Sequence, residues 1–142
     1  MPNWIVYGII AAFCFGVQTI IYKYAIQKWN LSPYYGSFIF SLGIILIIGL
    51  SLLFKPSSQF EWESSSLALI AGIIWGLGFL AVAIAIAQKA DIARLAPIYN
   101  TNTLLAVLMG MIFLHEIPDK SQMFRVISGA VLIVIGAVLV SI

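Results

Sequence analysis

The sequence predicts an all-α integral membrane protein with five transmembrane helices, and three observations carry that prediction. Of the 142 residues, 63% are apolar and 8% charged, and the mean hydropathy is +1.10, a composition that no water-soluble globule of this length sustains. The charges gather in short polar stretches, leaving uncharged runs at 4–22, 31–54, 64–88, 95–114 and 126–142. Each run approaches the roughly 20 residues that carry a helix, at about 1.5 Å per residue, through about 30 Å of hydrocarbon. A lipid-facing barrel would instead show segments of about ten residues alternating apolar and polar, which do not occur. The expected spans are about 4–25, 32–54, 66–88, 95–114 and 121–142, in a single domain over 1–142 with no internal repeat.

Nothing basic precedes Trp4, the apolar run is long, and no small-x-small cleavage site follows it, so the first segment reads as a span rather than a signal peptide. Cys14, Gln18 and Tyr22, spaced by four, share one face of that helix and give it a polar stripe with an aromatic edge. Ser32 before Pro33 reads as a cap followed by proline in the first turn of span two. The polar stretch KPSSQFEWESSS, residues 55–66, joins spans two and three. Trp4, Trp29 and Trp62 fall at expected span ends, where aromatic anchors sit, whereas Trp75 lies mid-span. Gly72 and Gly76 in span three form a small-xxx-small pair. Ala96-Pro97 reads as the opening turn of span four, which then carries Tyr99, Asn100, Thr101, Asn102 and Thr103 in a row. On a continuous helix Asn100 and Asn102 stand about 200° apart, so one bonds a neighbouring helix and the other looks inward. Asp119 or Ser121 can cap the fifth helix, where Gly129 and Gly136 lie on one face and allow close helix approach.

A single histidine and a single cysteine supply no ligand set for a metal, and no nucleophile, base and orienter can be assembled. The sequence therefore predicts no enzyme, no cofactor, no metal and no nucleic-acid partner. Asp91 and Arg94 read as a surface pair at the membrane boundary, and His115 and Glu116 as groups reaching water at the end of span four.

Five spans put the termini on opposite sides of the membrane. One side then carries Lys55, Lys120 and Arg125, the other Lys23, Lys28, Lys89 and Arg94, so the positive-inside signal is nearly balanced. Either the count is noise from few charges, or the chain inserts both ways in the cell membrane and pairs with its own inverted copy. Many carriers hold substrate between inverted repeats, and a unit with an odd number of spans qualifies as one such repeat. An antiparallel homodimer with an isologous interface would supply the second.

The stretch IIWGLGFLAVAIAIAQKADIARLAPI has a Trp-Gly-x-Gly turn followed by an Ala-rich run and a proline opening the next span. With MGMIFLHEIP at 109–118 and then SGAVLIVIGAVLV, the chain resembles, over nearly its whole length, one EamA-like half of a drug/metabolite transporter. WGLG and the pair Gly129 and Gly136 also resemble parts of the small multidrug resistance proteins. The membrane glutamate of those proteins would align near Phe15, and no acidic residue lies inside an expected span. The resemblance implies a transporter moving a small polar metabolite by alternating access, with exchange or uncoupled movement favoured over proton antiport. The other readings are a non-transporting accessory subunit of a larger complex and, more remotely, a channel. The expected substrate-binding residues are Gln18, Tyr22, Trp75, Asn100 and Asn102, and the expected dimer interface holds Gly129 and Gly136. Single-cysteine labelling at Gln27 and at Ser57 in intact cells should find each position reachable from both sides, and one fixed orientation for every molecule would end the dual-insertion reading.

Overall fold

The computed structural model describes residues 3–54, 61–116 and 119–141. Every element among them is a helix: α1 (Asn3–Trp29), α2 (Pro33–Phe54), α3 (Trp62–Ala87), α4 (Ile92–Tyr99), α5 (Asn102–Phe113) and α6 (Lys120–Ser141). Five stretches are long and apolar enough to cross a membrane, and the fourth, Ile92–Phe113, comprises α4 and α5 together. The chain packs as two compact units, residues 1–89 and 90–142.

In the first unit α2 packs on α3, and α1 packs on both. The turn between α1 and α2 is short because Asn30 takes a left-handed conformation, φ 52°, which lets the Leu31 N–H return to the Ala25 carbonyl. Pro33 then opens α2, and the Gly36 N–H bonds the Ser32 carbonyl at 2.7 Å, as the Ser-Pro pair predicts. Gly36 fits closely there, since a Cβ at that position would stand 3.0 Å from Leu31 Cδ2 and 3.1 Å from the Tyr22 hydroxyl, and those side chains would have to give way for any larger residue. Tyr22 and Ile26 of α1 and Ala83 and Ile86 of α3 are the buried apolar residues of this unit. Gln27 donates to the Ile86 carbonyl at 3.0 Å, and the Tyr22 ring lies 5.0 Å from Phe79. Residue numbers rise together along the two helices, so α1 and α3 run parallel and one turn earlier Gln18 comes level with Trp75.

In the second unit α6 packs against α4 and α5 through a seam of buried alanines, Ala130 and Ala137. Arg94 donates from Nε to the Val140 carbonyl at 3.1 Å, placing a cation at the C-terminal end of α6, where orphan carbonyls and the helix dipole favour it. Asp91 stands at the N-cap of α4, so the Arg94 Nε serves α6 rather than the expected surface pair with Asp91. At the end of α5, left-handed His115, φ 54°, brings the Glu116 N–H back to the Gly110 carbonyl.

Several sequence expectations are corrected. Pro97 is not in the first turn of span four, since α4 begins at Ile92 and the proline lies inside it. The polar stretch 55–66 is not all linker: α3 starts at Trp62, and Ser64 and Ser66 donate to the carbonyls of Glu61 and Glu63, bonds that let serines enter a helix. Residues 55–60, including Ser57 and Lys55, lie outside the described residues, as do Ile117 and Pro118. The expected turn at Trp75-Gly-Leu-Gly is uninterrupted helix inside α3.

The alanine seam and the neighbouring glycines separate by experiment. Ala130→Leu inserts bulk where 4% of the surface is exposed and should destabilise the protein by about 1–3 kcal/mol. Gly129→Leu, where a Cβ meets nothing within 4 Å, should change monomer unfolding by less than about 0.5 kcal/mol. Equal losses in detergent unfolding curves would refute this account of the seam.

Candidate functional site

A polar and aromatic layer crosses the first unit at mid-span. Gln18 lies eleven residues before the end of α1, about 16 Å along it, and Trp75 lies twelve residues before the end of α3, about 18 Å. Both fall in the middle third of about 30 Å of hydrocarbon.

Phe40, Phe79 and Trp75 form a triangle of near-parallel rings. Phe40 and Phe79 stack at 4.2 Å and 12°, Phe79 and Trp75 at 5.4 Å and 11°. Tyr22 meets both phenylalanines at a tilt, 5.7 Å from Phe40 and 5.0 Å from Phe79. Trp75 also lies 6.2 Å from Phe40 at 18°, and its indole is 50% exposed. A flat aromatic face held by stacked neighbours is a preorganised wall, because its orientation is fixed before anything binds.

The polar groups are oriented by the limited number of protons each hydroxyl has. Ser37 donates its proton to the Pro33 carbonyl at 2.7 Å, so the Tyr22 hydroxyl is the donor in its 3.0 Å contact with Ser37 Oγ. Tyr22 is therefore buried and engaged, supporting the three rings rather than offering an open face. Thr19 likewise donates to the Phe15 carbonyl at 2.8 Å, leaving its oxygen to accept from Gln18 Nε2 at 2.9 Å. That bond fixes which end of the Gln18 amide is which. Gln18 Oε1 is left enclosed and accepts no hydrogen bond among the described residues. An acceptor of this kind costs about 1–3 kcal/mol until a donor reaches it. Cys14, on the same face, is exposed.

In the second unit, the polar run that interrupts span four is where the helix breaks. Pro97 has no N–H to give the Ala93 carbonyl and its ring crowds that turn. The chain closes α4 with the Asn100 N–H on the Ala96 carbonyl and tightens to the Thr101 N–H on Ile98 at 3.2 Å. Thr101 Oγ1 donates to the same Ile98 carbonyl at 2.7 Å, and the Thr103 N–H bonds Asn100. With α4 beginning at Ile92, Asn100 lies about 12 Å and Asn102 about 15 Å into the crossing, deeper than a start at Leu95 implies. The 200° argument fails for the same reason, since the two asparagines flank a break rather than ride one helix, and both are exposed. Irregular backbone at such depth is tolerated where protein or a water-filled cavity covers it.

Gln18, Tyr22 and Trp75 thus share one layer of the first unit, and Asn100 and Asn102 flank the break in the second. Gly129 and Gly136 face open space, beside the buried alanine seam. Sequence reasoning missed Thr19, Ser37, Phe40 and Phe79. Phe79 was findable, being four residues from Trp75 and so on its face, whereas Phe40 comes from another helix with no sequence signal. Among the described residues no group of His, Cys, Asp and Glu could hold a metal.

The model of the EamA-like transporter family matches residues 2–142. Curated relatives from Streptococcus pyogenes serotypes M1, M3 and M6, each named "putative sugar uptake protein", are 27% identical over 73 residues, 51% of this chain and 25% of theirs. The match thus spans about a quarter of the length of those relatives. No solved structure matches the chain.

The break generates a direct expectation. In a Cys14→Ala background, Asn100→Cys should react with a membrane-impermeant thiol reagent at least about tenfold faster than Leu132→Cys, an exposed lipid-level control on α6, because irregular backbone at this depth needs water or protein beside it. Equal, slow labelling of both would show that water does not reach the break.

Proposed function

We propose a transport function from one premise: the chain belongs to the EamA-like transporter family. In this reading it moves a small, hydroxyl-bearing polar metabolite by alternating access, as an antiparallel homodimer in which a second, inverted copy supplies the other repeat. The observation that carries the reading is the half-exposed Trp75 at mid-span, level with a Gln18 carboxamide whose enclosed oxygen has no donor among the described residues. A flat aromatic wall suits the apolar face of a sugar ring, and an unpaired acceptor suits a hydroxyl donor. The names of the streptococcal relatives point to the same substrate class. A quaternary cation has no N–H or O–H for Gln18, and no carboxylate stands in the layer to meet its charge or to carry a proton.

The broken fourth span supports the same reading, since carriers use discontinuous helices where substrate passes. Asn100 and Asn102 then offer further amide groups at mid-span, and Gly129 and Gly136, open in the single chain, are where the second copy approaches.

Uptake of labelled monosaccharides into vesicles holding the purified protein tests this. Trp75→Ala should weaken apparent affinity about 2–10-fold, the loss of an aromatic stacking contact of about 0.5–1.5 kcal/mol. Trp4→Ala, at the start of α1, should leave uptake unchanged. Saturable uptake that survives both Trp75→Ala and Gln18→Leu would remove this layer from the substrate path, and the absence of saturation would favour a channel.

A further inference from the structure

The first unit has a concave feature away from the mid-span layer. A cleft of about 430 Å³ opens where α1 ends, α2 begins and α3 ends, with Gln27, Asn30, Ser32 and Lys89 as its polar lining and Ile26 and Leu31 among its apolar walls. Such a volume suits a small head group and lies within the ordinary range of ligand sites, about 300–1,000 Å³.

Its charge is one-sided. No hydrogen bond or ion pair among the described residues engages the Lys89 ammonium, and Lys23 and Lys28 stand on the last two turns of α1. The described carboxylates of this unit, Glu61 and Glu63, lie at the other end of α3, about 39 Å away along a 26-residue helix. Asp91, the next acid along the chain, belongs to the second unit and is already engaged.

Helix C-termini repel anions, and α1 and α3 both end here, so the carbonyls at those ends must be weighed against the lysine. Three carbonyls near those ends are occupied, which offsets part of the repulsion: Ala25 accepts from the Leu31 N–H, Ile84 from Gln88, and Ile86 from both the Lys89 N–H and the Gln27 side chain. The start of α2 opposes them, since N–H groups in its first turn have no partner within the helix. A full cationic charge with neutral amide and hydroxyl donors around it is anion chemistry. Its place at the helix ends, beside exposed Trp29, Tyr34 and Tyr35, is the level at which lipid phosphates lie.

We infer that this corner cleft binds a phosphate-bearing anion, with Lys89 supplying the charge, Gln27, Asn30 and Ser32 the hydrogen bonds, and Ile26 and Leu31 the apolar wall along which a lipid's glycerol and chains leave. The site is independent of the substrate layer and does not rest on the transport reading.

The test uses the full chain in a neutral maltoside detergent, with native mass spectrometry and thermal stability read against added phosphatidylglycerol, phosphatidylcholine or glycerol 3-phosphate. Phosphatidylglycerol should bind at least about tenfold tighter than phosphatidylcholine, and more weakly as salt rises. Lys89→Asn should lose about tenfold, Lys89→Arg should retain binding, and Lys28→Gln, whose ammonium is held by the Tyr24 hydroxyl, should change it less than about twofold. Asparagine is chosen because Lys89 has φ 67°, a left-handed conformation that asparagine tolerates. If that variant misfolds, Asn30→Gly, which keeps the backbone at φ 52°, removes one ligand and should cost about threefold. Glycerol 3-phosphate binding as tightly as the lipid would support the phosphate site and assign it to a free ester. Equal binding of the two lipids with no effect of glycerol 3-phosphate, or no loss in either variant, would overturn the inference.

Discussion

In hydrocarbon no water is present to satisfy a backbone N–H or C=O, so every such group must find its partner inside the chain, and the rest of this structure depends on that constraint. It makes each crossing a helix, and it also governs how helices stop. Asn30, Lys89 and His115 take left-handed conformations, none of them a glycine, and after each the following N–H groups or their own return to carbonyls of the helix just ended. Where span four breaks, Thr101 serves the Ile98 carbonyl with both its amide and its hydroxyl. The polar residues in that apolar stretch are therefore, first of all, what allows the backbone to be irregular there.

The same constraint explains the mid-span layer. Each hydroxyl has one proton, and Thr19 and Ser37 both give theirs to main-chain carbonyls one turn back. Their oxygens then act as acceptors, which orients Gln18 on one side and Tyr22 on the other. The unpaired end of Gln18 and the open face of Trp75 follow from local hydrogen-bond accounting and ring stacking, not from any charged group. In the transport function proposed above, such a layer would favour hydroxyl donors and flat apolar faces.

What the sequence made legible and what it hid divide along physical lines. Apolar run length located five crossings because it reports on transfer into lipid, which is additive over residues. Ser32 and Pro33 marked the start of α2 because their effect is local. The break at Asn100 was hidden because proline and a run of Asn and Thr fit either a helix opening or an interruption, and only the true start at Ile92 decides between them. Trp75 stood out as the one tryptophan away from a span end, and Gln18 as a polar residue inside a span. Phe40, the third ring of the cluster, could not be found, since its contact with Phe79 at 4.2 Å joins two helices whose register no sequence pattern states. Gly136 and Gly129 were legible as glycines, but their open surroundings were not.

The central claim is that the indole of Trp75 faces the substrate. The most direct measurement leaves it as the sole tryptophan, with Trp4, Trp29 and Trp62 changed to phenylalanine, and follows its fluorescence as monosaccharides are titrated into the purified protein. The account predicts a saturable change in intensity or wavelength that disappears in Gln18→Leu. An emission that does not move while the same protein still accumulates sugar in vesicles would contradict it.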